Sequence, residues 1–270
     1  MKKLYKRLKP LLGTFVEVAV STEHEDPTEF VTDAFKKIEF LQSLLSFHNP
    51  LSEISKINFS AGKIVSTHPE TFELLQLAKK LELDSNGKFN CTVGGKLVRL
   101  GRLPDLGFPH FLDSGNESDI ELFDSSKKTV QLKRPVLITL DGIAKGYAVD
   151  CAVKVLKDHG LTSGWINAGG DLRIFGDVEL PVTRREENKA MRPLGTFSNV
   201  SIATSKISAV SVPEYPGSIV ASALNQPQPG IWTISAPEAW LADALTKVAA
   251  QLGDRERSHV ITQLGGQLIT

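Results

Sequence analysis

The sequence predicts an α/β fold of the α+β type, with largely antiparallel sheets covered by helices. Alternating apolar residues indicate strands along much of the chain, and four segments carry apolar residues at helical spacing. Hydrophobic residues make up 41% of the 270 positions. That is enough to bury the core of one large domain or of two intimately packed lobes.

The composition argues against several classes of function. Lysine plus arginine and aspartate plus glutamate both number 31, so the formal net charge is zero and no strong field attracts nucleic acid. Cys91 and Cys151 lie far apart without a CxxC pair, so we expect buried apolar thiols rather than a zinc site or a disulfide. No apolar stretch approaches the roughly 18 residues of a membrane span.

The first third of the chain predicts one strand and two helices. Residues 16–20 alternate between valine and other residues after Gly13-Thr14, which indicates a strand with one buried face. A helix is predicted over residues 28–46, where apolar side chains recur at helical spacing. A second helix begins at Pro69, which suits a first turn, and stops near Asn86-Gly87.

The middle of the chain is rich in turns. Short alternating pieces at residues 129–133 and 136–140 predict antiparallel strands. A helix follows over residues 145–159, because its apolar residues share one face, and it ends at Gly160.

The remainder predicts mostly strands and one last helix. Residues 182–194 are predicted to form a charged loop. The segment APEAWLADALTKVAAQLG is predicted to form the helix, and Asp243, Thr246 and Lys247 lie on the side opposite its apolar face. The predicted strands are residues 165–167, 172–175, 200–204 and 232–235.

Two glycine-containing segments could approach an anion. Gly142 and Lys145 lie at the start of the helix in DGIAKGYAVD, where helix amides and an ammonium could hold an anion, although a solvated lysine fits equally well. Asp141 is in the position of an N-cap. Gly169-Gly170 matches neither a Walker loop nor GxGxxG and joins two strands, which favours a structural turn over a ligand contact.

Other single residues are weaker candidates. His48 lies on a polar loop, where a histidine is usually an ordinary surface residue, and no Ser/His/Asp set can be drawn. Asp243 could bind a cation, but one carboxylate makes a weak site unless carbonyls or ligand phosphates complete it.

Taken in order, the motifs resemble those of the ApbE family of FAD:protein FMN transferases. The resemblance runs from Gly13 to about Gly253. SFHNPLSEISKIN is similar to S-x-aromatic-x-P-x-SE-x-S-x-x-N, and NGKFNCTVGGKLVRLG to GGxFDPTVGPLVxLWG. The most specific match is DGIAKGYAVD followed by NAGGDLRIFG, and APEAWLADALTK resembles the metal-binding AxxxxADAxxT.

The resemblance implies one ApbE-like domain over residues 1–270, with two interleaved lobes and FAD in the cleft between them. It also implies Mg²⁺ on the FAD pyrophosphate and transfer of FMN to a threonine or serine of an acceptor protein, with release of AMP. Family members are commonly exported and lipid-anchored. The chain as written has no signal peptide or lipobox, so we expect it in the cytoplasm.

Motif positions imply roles for individual residues. His48 falls where the family has an aromatic against the flavin, and Thr139 where many members carry a flavin-contacting aspartate. Gly142 falls where a backbone oxygen reaches the metal, and Asp243 is the metal aspartate. The residues that the resemblance places against the dinucleotide are His48, Phe89, Asn90, Cys91, Thr139, Lys145 and Val220.

Two departures from the family pattern matter most. The HxxDPxTG segment is replaced by YPGSIVASALNQPQPG, which puts Ser218 at the histidine and Ala221 at the aspartate when Ile219 and Val220 are aligned with the apolar pair. Lys247 stands where the metal motif has threonine. One hypothesis is that its ammonium pairs with Asp243 and takes the place of Mg²⁺; the alternative is a lysine turned to solvent.

These departures leave three functions to compare. Flavin transfer to a protein hydroxyl follows most directly from the resemblance. A catalytically silent flavin-binding protein would keep the fold without the lost segment and the metal-site threonine. A structural or interaction protein would keep the fold without its ligand.

Overall fold

A seven-stranded antiparallel sheet forms the centre of the protein. The computed structural model describes residues 2–124, 126–207 and 227–270. The strands of this sheet are β1 (Lys3–Leu11), β2 (Thr14–Thr22), β6 (Gly164–Ala168), β7 (Asp171–Phe175), β10 (Ser201–Ile207), β11 (Gly230–Ala236) and β12 (Gln267–Ile269). They lie side by side in this order, and every neighbouring pair is antiparallel.

Helices cover one face of this sheet. The apolar residues of the helices and of the sheet pack together into the main hydrophobic core. The predicted helices over 28–46, from Pro69 onward, over 145–159 and near the C-terminus are confirmed as α1, α3, α5 and α6. α5 packs between α1 and α6. The helices are α1 (Thr28–Leu45), α2 (Glu53–Phe59), α3 (Pro69–Asp84), α4 (Gly94–Arg99), α5 (Ala144–Asp158), α6 (Ala239–Ala249) and α7 (Asp254–Gln263). Among the described residues, no helix is both long and apolar enough to span a bilayer.

A three-stranded antiparallel sheet packs against α3. It has the order β3-β5-β4, and its strands are β3 (Ile64–Ser66), β4 (Ile120–Asp124) and β5 (Lys128–Leu132). The predicted strand over 129–133 is therefore confirmed, with β3 and β4 rather than 136–140 as its neighbours. The antiparallel strand predicted over 136–140 is wrong.

Residues 136–140 are instead held extended by contacts from distant parts of the chain. The Asn58 amide donates to the Ile138 carbonyl at 2.9 Å and accepts from the Ile138 amide at 2.7 Å. On the other side, Thr139 N donates to Cys91 O at 2.8 Å and Gly94 N donates to Leu137 O at 3.0 Å. These bonds place the turn before α5 beside the segment that contains Phe89.

The prediction of a charged loop over 182–194 is also wrong, because this region forms a hairpin. Its strands are β8 (Leu180–Arg185) and β9 (Met191–Phe197). Leu180, Val182 and Phe197 pack against Trp165, Leu172 and Ile174 on the second face of the large sheet. The many charged residues conceal this apolar alternation in the sequence.

α5 and α6 approach each other closely where both begin. The Asp150 carboxylate, on α5, accepts hydrogen bonds from Ala239 N at 3.0 Å and Trp240 N at 2.9 Å, the first amides of α6. A carboxylate in this position satisfies unpaired amides and the helix dipole. Gly146 makes the approach possible, since a Cβ there would lie 2.2 Å from Ala239 O.

We expect Gly146→Ala to destabilise the protein by about 1–3 kcal/mol, because the added methyl must push the backbone of α6 away. Gly142→Ala is the matched control: its Cβ would meet Phe89 Cε2 at 3.5 Å, an ordinary contact. Chemical denaturation measures both variants. Equal stability of Gly146→Ala and Gly142→Ala would contradict the close approach.

Asp150 should also make the stability depend on pH. Burial raises the pKa of Asp150 from 3.8 to about 6, although its two amide donors oppose the shift. The folded state therefore binds this proton at higher pH than the unfolded state does. The resulting stabilisation is fully present below about pH 4 and is lost as the pH rises through about 6, by at most about 3 kcal/mol.

Denaturation of the native chain and of Asp150→Asn at about pH 4 and about pH 7 tests this linkage. The side chain of the variant does not titrate. The free energy of unfolding of the native chain, relative to that of the variant, should therefore decrease from about pH 4 to about pH 7. A difference that stays constant would show that Asp150 keeps an ordinary pKa.

Candidate functional site

Two lysine–aspartate pairs lie side by side where α5 begins against α6. Lys145 pairs with Asp171 and Lys247 pairs with Asp243. The aspartate side chains are 4% and 0% exposed, whereas the lysine side chains are 36% and 18% exposed. The carboxylates thus anchor the lysines from inside, and both lysine side chains remain accessible to solvent.

Asp243 is fully engaged by groups of the chain itself. One carboxylate oxygen accepts from Gly146 N at 3.3 Å, and the other accepts from the Lys247 ammonium. Lys247 Nζ also donates to the Asp243 carbonyl at 3.0 Å, and Thr246 Oγ1 donates to that carbonyl at 2.7 Å. This side of α6 is therefore a buried, hydrogen-bonded surface, and Lys247 is not turned away from Asp243.

Lys145 is held as a cation by the surrounding carboxylates. Burial alone would lower its pKa, but attraction to Asp171 and Asp243 raises it above the ordinary value. Asp171 is the first residue of β7 and follows Gly169-Gly170, whose φ angles are 65° and 109°. The predicted strand-to-strand turn is confirmed, and it places Asp171 under the Lys145 side chain.

The amides at the start of α5 are largely satisfied within the chain. Ala144 N donates to Leu140 O at 2.8 Å, and Gly146 N donates to Asp243. The expectation that Asp141 caps this helix is wrong: the cap position is Ile143, without a side-chain hydrogen bond. The anion that the sequence predicts at this helix start is thus the protein's own Asp243 carboxylate. Of the groups at the start of α5, the Lys145 side chain is the one that a ligand could still contact.

Phe89, Gly142 and Lys247 meet at one point beside these pairs. A Cβ built on Gly142 would lie 3.5 Å from Phe89 Cε2 and 3.7 Å from Lys247 Cε. Thr139, which is 6% exposed, accepts from Asp141 N at 3.4 Å. The fold therefore brings residues from three separate motifs to the same place.

Asn90 and Cys91 reach this region but use their side chains inside the protein. The Asn90 amide oxygen accepts from Thr92 N at 2.6 Å, and its nitrogen donates to Gly115 O at 2.9 Å. Cys91 is buried as expected, and burial raises the pKa of its thiol. Both side chains stabilise the loop, and their contact with a dinucleotide stays a prediction.

His48 lies at the edge of the same cluster. Solvent reaches the side chains of His48 and Asp141. The surrounding protein atoms nevertheless exclude part of the water around the Asp141 carboxyl group, and this desolvation raises its pKa. The charges of the nearby His48 and Lys145 act in the opposite direction. Val220 lies outside the described residues, as do Ser218 and Ala221.

Three residues that organise the site were not predicted as site residues. Asn58 holds the extended segment before α5, Asp150 fixes the start of α6, and Asp171 anchors Lys145. Each is the last or nearly the last polar residue of a motif named above. Both aspartates pair with groups on another element of the fold, so the spacing within each motif does not reveal these contacts.

The residues present do not fit a bound Mg²⁺. Among the described residues, no group of three or more histidine, cysteine, aspartate or glutamate side chains could hold a metal ion. The Lys247 ammonium already contacts one Asp243 carboxylate oxygen and the Asp243 carbonyl oxygen, and Gly146 N donates to the other carboxylate oxygen. A Mg²⁺ ion at Asp243 would have to displace this cation before it could gather its oxygen ligands.

Fold and site together define an α+β protein with two carboxylate-anchored lysines at a helix junction. The sequence profile of the ApbE family matches residues 12–269, and the chain belongs to this family.

Two curated relatives carry the name FAD:protein FMN transferase. The protein from Chlamydia pneumoniae is 29% identical over 205 residues, which cover 72% of this chain and 62% of that protein. The protein from Klebsiella pneumoniae (strain 342) is 29% identical over 192 residues, which cover 65% of this chain and 57% of that protein. The chain therefore spans about three fifths of the length of these relatives.

Solved structures share the fold. The ApbE protein from Thermotoga maritima superimposes with a TM-score of 0.84 at 24% identity, over 98% of this chain and 93% of that one. The flavin transferase ApbE from Vibrio cholerae gives a TM-score of 0.80 at 17% identity, over 97% and 91% of the two chains. The predicted α+β fold with largely antiparallel sheets is confirmed.

Proposed function

We propose that this protein transfers FMN from FAD to a threonine or serine hydroxyl of an acceptor protein and releases AMP. The observation that carries the proposal is the family match over residues 12–269, whose motifs converge on the cleft with its two lysine–aspartate pairs. The names of the two relatives support the same activity. We take residues 1–270 to act as one unit with two lobes.

The reaction exchanges one phosphoester partner for another without redox change. The acceptor oxygen forms a bond to the FMN phosphorus, the bond from that phosphorus to the bridging oxygen of AMP breaks, and the hydroxyl proton is released to solvent. Such transfers pass through loose transition states, so positioning and charge neutralisation contribute more than a strong base. Lys145 and Lys247 supply positive charge where the diphosphate would lie.

Other residues would hold the rest of the dinucleotide. His48 offers an exposed ring face for the flavin, in line with the aromatic position that the family motif has there, and the buried Phe89 would support this part of the site from behind. Thr139 and Gly142 would lie next to the flavin, and the family motif assigns Val220 to the dinucleotide as well. This arrangement would leave the phosphorus next to the lysine pairs and open to an acceptor hydroxyl.

Incubation with FAD, Mg²⁺ and an acceptor protein that carries a Thr/Ser flavinylation motif tests the proposal. We expect AMP and a fluorescent flavin that remains on the acceptor after denaturation. An acceptor with alanine at the modified position is the control and should stay unlabelled. Lys145→Met should slow the transfer by about 100-fold, because a charged contact to the diphosphate is lost.

The other outcomes separate the remaining functions. Bound FAD without AMP or covalent flavin would contradict transfer and identify a silent flavin-binding protein. A chain with no affinity for FAD would contradict both flavin functions and leave a structural or interaction protein.

A further inference from the structure

The ammonium of Lys247 occupies the position that a metal ion would need at Asp243. Its Nζ contacts one Asp243 carboxylate oxygen and lies 3.0 Å from the Asp243 carbonyl oxygen. Two oxygens of one residue thus converge on a single cation, as they would on a metal. That cation is supplied by the next turn of the same helix.

Displacement of this ammonium by Mg²⁺ would be unfavourable. The Lys247 side chain is only 18% exposed and Asp243 is fully buried, so a displaced ammonium would lose a buried carboxylate partner. The second carboxylate oxygen already accepts from Gly146 N, and Thr246 Oγ1 is shared between the Asp243 carbonyl and Ser205. The neighbouring oxygens are therefore engaged as well.

Both lysines keep hydrogen-bond donors for a ligand. An ammonium has three N–H groups. Among the described residues, Lys247 donates two hydrogen bonds to Asp243 oxygens, and Lys145 donates one to Asp171. At least one N–H on each lysine thus remains unassigned. The Lys247 stem lies beside Gly142, 3.7 Å from a Cβ built there. Lys145 and Lys247 both lie close enough to Asp171 to favour its charged form, so the two cations are neighbours.

We propose that Lys145 and Lys247 form a metal-independent clamp for the diphosphate of a flavin dinucleotide, in which the Lys247 ammonium replaces a divalent cation. The identity of the ligand rests on the function proposed above. Lysine acts as a compact, fixed point charge on phosphate. A lysine ammonium carries one positive charge, whereas Mg²⁺ carries two. The clamp therefore needs no metal ion, but it neutralises less of the diphosphate charge.

FAD titrations followed by flavin fluorescence, in EDTA and in excess Mg²⁺, test the clamp directly. For the native chain we expect dissociation constants within about twofold of each other, because no metal takes part. Lys247→Thr should bind FAD about tenfold more weakly in EDTA, the usual loss for a charged hydrogen bond. Mg²⁺ should restore part of that loss, since the Asp243 carboxylate becomes available.

Two further variants control for charge and packing. Lys154→Thr removes an exposed lysine from α5 and should bind FAD like the native chain under both conditions. Lys247→Met removes the charge but leaves an apolar stem beside Gly142 and Asp243, which offers Mg²⁺ no oxygen ligand and hinders its access to the carboxylate. FAD binding by this variant should therefore be weakened in EDTA and in Mg²⁺ alike. Thermal unfolding shows which variants are folded. If Lys247→Thr does not fold, the FAD titration of Lys247→Met is used to test the proposal.

A metal titration without flavin gives a second readout. Electron paramagnetic resonance of Mn²⁺ should show no protein-bound ion for the native chain and one for Lys247→Thr. Native FAD binding that requires a divalent metal would overturn the clamp and leave the proposed flavin function standing. Unchanged FAD binding by a folded Lys247 variant would also overturn it. Absence of FAD binding under both conditions would overturn the proposed function together with the clamp.

Discussion

Reciprocal capping between α5 and α6 is the constraint on which the site depends. Asp150 on α5 accepts from the first two amides of α6, and Asp243 on α6 accepts from Gly146 at the start of α5. Each helix therefore supplies the acceptor that the other helix lacks in its own first turn. The absence of a side chain at Gly146 lets the backbones come close enough for both contacts.

This junction fixes the positions of the two lysine–aspartate pairs. Asp243 and Asp171 are buried, and each would be costly there without a cation. Lys145 and Lys247 meet that requirement from the solvent side, so their positions are set by the core rather than by a ligand. A site preorganised in this way needs little rearrangement when an anion binds. The same arrangement explains why a lysine can stand where the family motif has threonine.

Local patterns predicted the helices and strands that bury one regular face, such as α1, α5 and β2. They failed where distant contacts decide the conformation. Asn58 holds Ile138 across 80 positions of sequence, and the β8–β9 hairpin buries its apolar residues among charged ones. Motifs located Lys145, Asp243 and Lys247. The Lys145 partner could not be found from local spacing, because Asp171 lies 26 residues away on another element.

The most direct test of this account is hydrogen exchange at the helix junction. Amides of Ala239 and Trp240 in the native chain should exchange slowly, at rates near those of global unfolding, because Asp150 accepts from both. Gly146 N should be protected in the same way by Asp243. Rapid exchange at these three amides, typical of uncapped helix ends, would show that α5 and α6 are not joined as described.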